Sequence, residues 1–404
     1  PTIIDLKNNL ACGIRKASDF LMALQLTGAF KRSALPNLQV RLPALVIGGG
    51  LTAIDTATEL FAYYPVQVEK TLERYEKITA EIGEEAVCGR FNPHELEILK
   101  EFLKHGAAVR AERVRAAAAK ETPNFVPLVR AWGGVSIVYR KRLVDSPAYR
   151  LNHEEVIKAL EEGIAFIEEM NPEEAVVDEG NEVTAMRFRA KDRVIELPAR
   201  SVMVAAGTTP NITYEKEHSG TFQLDSKKKF FAPHRAKRNE DGSFSLEPVP
   251  NGRSGAFFTS YDKAGRFITY YGDNHPIYAG NVVKAMASAR DGYPHVTALF
   301  HDELADLDPD TQDERDLAWR RLTAKLEREL VARVAEVRRL TPTIIEVIVH
   351  APAAARCFEP GQFYRLQNYE TQALSVKGTR LLMEGIALTG AWVDREKGLL
   401  SLIA

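Results

Sequence analysis

Residues 42–60 read LPALVIGGGLTAIDTATEL, in which an apolar run meets three glycines and a helical pattern follows at once. The apolar residues 45–47 predict a short buried strand, and the residues after Gly50 predict a helix. A strand, a glycine-rich turn and a helix in this order are typical of the βα unit that binds dinucleotides. This stretch therefore predicts an α/β fold with a Rossmann-like NAD(P)-binding domain.

The glycines fit the pattern G-x-G-x-x-A, with Gly48, Gly50 and Ala53 at its three small-residue positions. Gly48 allows the tight turn, Gly50 lets the main chain approach a pyrophosphate, and Ala53 lets the helix pack closely on the strand. Leu51 and Thr52 open the helix, whose N-terminus faces the phosphates. We predict dinucleotide binding at these residues, and a purely structural glycine turn is the alternative.

Two positions compete to choose the dinucleotide, and the first is Glu69. It lies about twenty residues beyond the turn, where an acidic residue would bind the ribose 2′-hydroxyl and select NAD. However, it ends only a short alternation, residues 66–69, which follows Pro65 and runs directly into a long helical pattern. Residues 66–69 therefore make a poor candidate for a parallel strand.

The second position is Arg140, at the end of the longer strand pattern VSIVYR (residues 135–140), which follows a Gly-Gly break. If this is the second strand, a helical insertion at 61–132 merely delays it. Arg140, Lys141 and Arg142 at its tip would then clamp a 2′-phosphate. We favour Arg140 and hence NADP(H), and a solvated basic turn is the alternative.

Length and composition limit the class of protein. With 404 residues the chain is long enough for two or three domains, and its net charge of −2 suggests neither a nucleic-acid nor a membrane surface. No apolar run approaches the ~20 residues of a membrane span. The three cysteines, Cys12, Cys88 and Cys357, form no C-x-x-C pair, so neither a dithiol nor a metal or iron–sulfur site is predicted. A reducing, cytoplasmic location fits this pattern.

The pattern along the chain predicts five segments, which are residues 1–40, 41–214, 215–300, 301–332 and 333–404. Residues 41–214 form the NAD(P)H-binding domain, which carries the helical insertion 61–132, and residues 301–332 form a charged helical connector. Residues 333–404 show short alternating strands broken by Pro and Gly, which predicts a small antiparallel β-barrel. The chain opens on Pro1 without a methionine and ends inside an apparent strand, so we expect a piece of a longer polypeptide.

Two further stretches carry candidate ligand-binding residues. The strand pattern in SVMVAAGTTPN ends in small residues that include Ala206 and Gly207, as a main-chain crossing between two domains requires. Gly272 and Asp273 lie at a strand end just before a helix, where the carboxylate could bind flavin hydroxyls or serve as a turn residue. For His275 beside them, a structural role is favoured over proton donation.

Five motifs occur in an order that resembles one family: GGGLTAID, WGGVSIVYRKR, LNHEEVIKALEEGIAF, VMVAAGTTPN and YYGDNHPIYAGNVVKAM. Over about residues 10–295 the chain resembles the small (β) subunit of NADPH-dependent glutamate synthase and related flavin reductases. The resemblance implies an NADPH-binding domain inserted in an FAD-binding domain, with residues 1–40 as the end of the first FAD segment and residues 215–300 as the second. It further implies that Gly48, Gly50 and Ala53 hold the NADPH pyrophosphate.

The resemblance also implies that Arg140 and Lys141 hold the 2′-phosphate and that Asp273 contacts the flavin. Hydride would pass from NADPH to FAD, and electrons would leave to an iron–sulfur domain or subunit as the partner. The chain departs from the family at its start, since residues 1–40 contain only Gly13 and Gly28 and hence no FAD-binding G-x-G-x-x-G. FAD is therefore expected in the complete protein rather than in this chain alone.

Residues 333–404 resemble the start of the flavin-binding barrel of ferredoxin–NADP reductases and dihydroorotate dehydrogenase electron-transfer subunits. The resemblance rests on FEPGQF at residues 358–363. Residues 379–385 (TRLLMEG) stand where those families carry an R-x-Y-S-type flavin grip, and they do not match it.

Two classes of function follow. The first is part of a flavin-dependent NAD(P)H oxidoreductase that passes electrons to a partner subunit or fused domain. The second is a non-catalytic nucleotide-binding module within a larger electron-transfer complex. A disulfide reductase of the thioredoxin reductase type shares the fold logic but lacks its cysteine pair here.

Overall fold

The structure is a computed structural model that describes residues 4, 6–207, 209–249 and 255–404. The chain divides into two compact units, one formed by residues 1–207 with 332–404 and the other by residues 208–331. No helix among the described residues is long and apolar enough to cross a membrane.

The amino-terminal part of the first unit alternates strands and helices. Its elements are, in chain order, β1 (Ile14–Lys16), α1 (Ala17–Leu26), β2 (Ala44–Ile47), α2 (Leu51–Ile82), α3 (Glu84–Cys88), α4 (Pro93–Ala119), α5 (Val126–Ala131), β3 (Val135–Val138), α6 (Pro147–Glu161), β4 (Ala165–Ile167), β5 (Asn171–Val177), β6 (Val183–Ala190), β7 (Arg193–Pro198) and β8 (Ser201–Val204).

Five of these strands form an all-parallel sheet in the order β1-β8-β2-β3-β4. All four residues of β2 are buried, because Leu45 and Ile47 face one hydrophobic core while Ala44 and Val46 face another. A strand that is buried on both faces reads as a continuous apolar run, and LPALVI is such a run. The predicted α/β class is confirmed, and β3 is confirmed as the neighbour of β2.

The helical insertion predicted at 61–132 is helical, but its first part continues the helix that starts after the glycines. Helix α2 runs unbroken from Leu51 to Ile82 and contains Pro65 in its interior. The alternative strand at 66–69 is therefore wrong. Helix α4 packs on α2 at Gly106, where a Cβ atom would lie 2.5 Å from the Val68 carbonyl oxygen.

Strands β5, β6 and β7 form a meander, an antiparallel sheet in that order. Helix α6 begins at Pro147, because Ser146 caps it and accepts a hydrogen bond from the Tyr149 amide. Asn152 interrupts the helical dihedral angles within α6.

The second unit contains α7 (Thr213–Glu217), β9 (His234–Arg238), β10 (Phe244–Pro248), β11 (Phe258–Lys263), β12 (Arg266–Thr269), α8 (Val282–Thr297), α9 (His301–Ala305) and α10 (Gln312–Leu330). Its strands form an antiparallel sheet in the order β10-β9-β11-β12. The helix predicted to follow Gly272 and Asp273 is α8, which starts at Val282 because Asn281 caps it.

The carboxyl-terminal part of the first unit contains β13 (Arg333–Arg339), β14 (Ile345–His350), α11 (Pro352–Arg356), β15 (Phe363–Leu366), β16 (Ser375–Val376), β17 (Thr379–Arg380), β18 (Ile386–Asp394) and β19 (Leu399–Ile403). The longer strands pair antiparallel in the order β13-β14-β19-β18-β15. In this described segment β13 and β15 are two edges of one sheet, so the predicted closed barrel is not confirmed. The predicted limits of the five segments stay predictions.

Helix α2 buries a lysine whose titration should be visible in the stability of the protein. Lys70 is 1% exposed, and its Nζ donates hydrogen bonds to the carbonyl oxygens of Ala29 (2.8 Å) and Pro36 (2.7 Å). Burial lowers the pKa of Lys70 to about 7, and the neighbouring Arg74 guanidinium acts in the same direction. In the unfolded chain, a lysine side chain has a pKa of about 10.4.

Between these two pKa values the unfolded chain binds one more proton than the folded chain. The free energy of unfolding should therefore rise with pH from about 7 to about 10, by roughly 1 kcal/mol per pH unit. Denaturant unfolding of the full chain at about pH 7.5 and about pH 9.5 checks this. Lys70→Met should remove that contribution, and identical pH slopes in both proteins would contradict the prediction.

Candidate functional site

The glycine turn lies where the order of the parallel strands reverses. Strand β2 pairs with β3, which follows it in the chain, on one side and with β8 on the other. In open α/β sheets, ligands bind at the carboxyl ends of the strands at such a reversal. The Gly48 amide donates to the Val138 carbonyl (3.1 Å), and the Ala205 amide donates to the Ile47 carbonyl (2.8 Å). The three chain segments therefore meet at this edge.

Gly48 is required by close packing. A Cβ atom on Gly48 would overlap the carbonyl oxygen of Ala205, just past the end of β8. Ala53, one helical turn further on, is fully buried in the core that α2 shares with the sheet. These two positions hold the turn and the helix against the sheet, as the fingerprint requires.

At position 50, neither the packing nor the backbone conformation requires a glycine. Gly50 caps α2 in an extended conformation (φ −95°, ψ 174°) without a side-chain hydrogen bond, and a Cβ atom built on it would meet no atom within 4 Å. The first amides of a helix lack intrahelical acceptors, and those of Leu51 and Thr52 have no side-chain cap here. The helix N-terminus is thus open to an anion such as a pyrophosphate.

The basic residues after β3 differ in their pairing. Arg142 forms a salt bridge with Asp145 (3.0 Å), whose hydrogen bond raises the pKa of Arg142. Arg140 and Lys141 are exposed, and neither forms a hydrogen bond or salt bridge with its side chain to any other residue that the structure describes. Two of the three cations at this strand tip are therefore available to a phosphate.

Glu69 does not lie at a strand tip. At 1.5 Å per residue, it lies about 27 Å along α2 from Leu51. Its carboxylate is buried and accepts hydrogen bonds from Arg113 Nε at 3.1 and 2.9 Å. The alternative in which Glu69 binds a ribose is therefore wrong, whereas the role of Arg140 stays a prediction.

Ala206 and Gly207 follow β8 at the same edge of the sheet. Both are exposed, and Gly207 has a left-handed backbone (φ +99°) with open space around it. The next residue, Thr208 in the stretch VMVAAGTTPN, lies outside the described residues. The structure thus brings the turn, Arg140 with Lys141, and Ala206 with Gly207 to the ends of three adjacent strands.

A cleft of about 500 Å³ opens beside the turn at the carboxyl ends of β1, β8 and β2. The last residues of these strands, Lys16, Val204 and Ile47, line it. The other lining residues are Ile4, Leu6, Asn9, Leu10, Ile14, Arg15, Asp19, Ala23, Met186, Val202 and Glu384. A mostly apolar lining with a few charged groups is typical of ligand sites.

The remaining predicted site residues, Gly272 and Asp273, belong to the second compact unit. The Gly272 amide donates to Ser288 Oγ (2.9 Å), and Asp273 Oδ1 accepts a hydrogen bond from the Gly280 amide (3.0 Å). The Asp273 carboxylate thus closes a turn. His275 is buried between the Ala256 carbonyl and the Ile277 amide, and burial lowers its pKa, as expected of a structural histidine.

Residues 379–385, which stand at the place of a flavin grip without matching it, make contacts within the first unit. Arg380 donates its amide hydrogen to the Ser33 carbonyl (2.7 Å) and accepts from the Leu35 amide (2.9 Å). Leu382 is buried near Gly28, and Phe358 belongs to the core of the C-terminal sheet. Residues 379–385 therefore hold the C-terminal part against residues 28–35.

Sequence reasoning missed Tyr139, whose ring lies against the glycine turn. The signal available was an aromatic residue directly before Arg140 at the end of an apolar strand. Nothing in the sequence alone showed which side of the strand would face the turn.

The chain is similar to an uncharacterized protein of Rickettsia prowazekii (strain Madrid E), with 32% identity over 403 residues. The match covers 100% of this chain and 49% of that protein, so the chain spans about half the length of the curated relative it matches. No protein-family model matches the sequence.

Among solved structures, the chain is similar to thioredoxin reductase of T. acidophilum, at 13% identity and a TM-score of 0.36 over 75% of this chain and 62% of that chain. The HOCl-induced flavoprotein disulfide reductase of Escherichia coli matches 100% of this chain and 61% of that chain, at 11% identity and a TM-score of 0.35. TM-scores this low support no conclusion. Neither of these two is a glutamate synthase subunit, and that resemblance stays a prediction.

Proposed function

We propose that this chain is the NADPH-binding part of a flavin-dependent NAD(P)H oxidoreductase. The observation that carries the proposal is the combination of an uncapped glycine turn with two unpaired cations. Gly50 leaves the N-terminus of α2 open, and Arg140 and Lys141 lie at the tip of the neighbouring strand. A dinucleotide with a pyrophosphate and a 2′-phosphate carries anionic groups for both places.

Each part of the site has a separate task in this proposal. The amides of Leu51 and Thr52 bind the pyrophosphate, and Arg140 with Lys141 binds the 2′-phosphate. The nicotinamide end extends past Ala206 and Gly207 toward the cleft beside β8. A nicotinamide bound in this way supplies hydride to an acceptor, and the protein supplies binding and orientation.

The described residues do not form a complete FAD site. No second G-x-G-x-x-G occurs in the sequence, and the Asp273 carboxylate accepts a hydrogen bond from its own turn. The proposal therefore places the flavin, and an iron–sulfur acceptor beyond it, on the remainder of a larger polypeptide or on a partner subunit. Titration of the chain with NADPH and NADH, with and without FAD, tests the proposal, and failure to bind either nucleotide at millimolar concentration would refute it.

Reversing the charge at position 140 should change the choice of nucleotide. Arg140→Glu removes a charge-assisted contact to the 2′-phosphate, which is worth roughly 1.5–3 kcal/mol. The Kd for NADPH should rise about 10- to 100-fold, while the Kd for NADH, which lacks that phosphate, should change little. Calorimetric titration of both dinucleotides checks the ratio.

Arg142→Glu is the matched control, because Arg142 is already paired with Asp145 and should contribute less to the nucleotide. An equal rise of the NADPH Kd in both variants would show that the overall positive charge of the basic turn attracts the phosphate, and not a specific contact with Arg140. No effect of Arg140→Glu on NADPH would show that the 2′-phosphate lies elsewhere.

A second candidate is a non-catalytic nucleotide-binding module, and the missing FAD turn favours it. This candidate also predicts NADPH binding, so binding alone does not separate the two. The separating measurement is NADPH oxidation by the chain with added FAD and ferricyanide. NADPH binding without NADPH oxidation, both in this chain and in the full-length Rickettsia prowazekii relative, would favour the non-catalytic module.

A further inference from the structure

The middle glycine of the turn, Gly49, needs an explanation of its own, because the fingerprint leaves this position free. Its φ angle is not in the left-handed region, so its backbone conformation does not demand glycine. The space around Gly49, however, leaves no room for a side chain. A Cβ atom on Gly49 would lie 2.5 Å from Cδ2 and Cε2 of Tyr139 and 2.7 Å from its Cζ. The Tyr139 ring therefore rests directly on the main chain of the turn.

Tyr139 is itself held in place from the other side. Its amide donates to the Ile167 carbonyl (2.9 Å), and its carbonyl accepts from the Met170 amide (3.0 Å). Its ring also meets Phe166 edge-on, with 6.5 Å between the ring centroids. The main chain that leads into Arg140 is thus fixed one residue beyond the end of β3.

The turn is also held by helix α6. The carbonyl of Gly49 accepts a hydrogen bond from the Ala148 amide (3.0 Å) in the first turn of that helix. Gly49 consequently lies between the Tyr139 ring and α6, and a shift of the ring would move the turn. The Tyr139 hydroxyl forms no hydrogen bond with another residue in the described part of the chain, so the ring rather than the hydroxyl provides the contact.

We infer that Tyr139 is a positioning residue for the dinucleotide. Its ring sets the glycine turn so that the open N-terminus of α2 faces the pyrophosphate, and its main chain sets the start of the Arg140–Lys141 segment. One residue thereby fixes the spacing between the two phosphate sites. The inference rests on the proposed function, and it adds the residue that the fingerprint does not contain.

Four variants of the full chain test the inference: Tyr139→Phe, Tyr139→Ala, Gly49→Ala and the double variant Gly49→Ala/Tyr139→Ala. Titration gives the Kd of each for NADPH and NADH, and thermal unfolding reports on folding. Tyr139→Phe keeps the ring and should bind within about twofold of the wild type. Gly49→Ala and Tyr139→Ala should each weaken both dinucleotides by at least about tenfold, since misplacement of a binding group by about 1 Å has large effects.

The double variant should bind no worse than Tyr139→Ala alone, because without the ring the added methyl group has room. Such non-additivity is expected only of residues in contact. Wild-type affinity in Gly49→Ala, multiplicative losses in the double variant, or a Tyr139→Phe as weak as Tyr139→Ala would each overturn the inference while NADPH binding stands. If Gly49→Ala does not fold, the comparison of the dinucleotide Kd values of Tyr139→Phe and Tyr139→Ala decides whether the ring positions the turn. Absence of binding by the wild type would overturn the proposed function, and the inference with it.

Discussion

Gly50→Asp is expected to abolish NADPH binding without loss of stability. Asp is among the best residues at a helix N-cap, and the extended backbone of Gly50 suits it. Its carboxylate would accept the amides of the first turn of α2 and interact favourably with the helix dipole, so stability should stay equal or rise by roughly a few tenths of a kcal/mol. The same carboxylate would occupy the position of the pyrophosphate and repel it.

The expected loss of NADPH affinity is at least about 100-fold, since two charge-assisted hydrogen bonds are each worth roughly 1.5–3 kcal/mol. NADH should lose as much, because the pyrophosphate is common to both nucleotides. Titration and denaturant unfolding of the same preparation give the two quantities. Unchanged NADPH affinity in Gly50→Asp would show that no pyrophosphate lies on this helix.

Two control variants sharpen this result. Gly50→Ser caps the helix without a charge and should reduce affinity less than Gly50→Asp does. Gly48→Ala should behave in the opposite way, because its methyl group would overlap the Ala205 carbonyl and destabilise the fold by about 2 kcal/mol. The three glycines are therefore expected to differ in what they tolerate: position 48 is limited by the sheet and 49 by Tyr139, whereas 50 would be limited by the pyrophosphate of the proposed function.

Strands β2 and β3 of the central sheet were predictable from sequence because they are largely buried on both faces. LPALVI is followed by glycines and VSIV is preceded by them, and these two short, mainly apolar runs become β2 and β3. Neither the order β1-β8-β2-β3-β4 nor the addition of β1 at its edge can be read from the runs themselves. Strand order depends on crossover connections between distant segments.

The length of α2 was not predictable from local pattern. Pro65 normally ends or kinks a helix, and the predicted helical insertion begins at residue 61, so one continuous helix from Leu51 to Ile82 was not expected. In the structure the residues after Pro65 are buried against the rest of the first unit, and Gln67 bonds both the amide and the carbonyl of Val40. Tertiary packing thus outweighs the local preference.

The pairing of side chains at the site also depended on the fold. Arg140, Lys141 and Arg142 are equivalent in sequence, but only Arg142 has a salt-bridge partner among the described residues, Asp145, three positions further on. Likewise, residues 379–385 stand at the place of a flavin grip, and only the structure shows their main-chain bonds to Ser33 and Leu35.

The second large effect is expected at Glu69, where a buried carboxylate depends on one cation. The Nε–H of Arg113 on α4 is shared between both carboxylate oxygens, and Arg32 approaches only to 3.8 Å. Removing one partner of a buried pair leaves an uncompensated charge, which costs about 3–5 kcal/mol. Because Arg113 is partly exposed, we expect Arg113→Met to lower the free energy of unfolding by about 2–3 kcal/mol, as measured by denaturant unfolding.

Arg110→Met is the matched control, because Arg110 joins the same two helices through Glu76 but both side chains are exposed. An exposed pair contributes at most about 1 kcal/mol, so Arg110→Met should have a small effect. Glu69→Gln/Arg113→Met should recover part of the lost stability, since a neutral amide needs no cation. None of these variants should change the ratio of NADPH to NADH affinity, because Glu69 lies far along α2 from the turn. A changed ratio of NADPH to NADH affinity in Glu69→Gln would restore Glu69 as the residue that selects the nucleotide. Equal losses of unfolding free energy in Arg110→Met and Arg113→Met would show that burial of the Glu69 carboxylate does not set the stability.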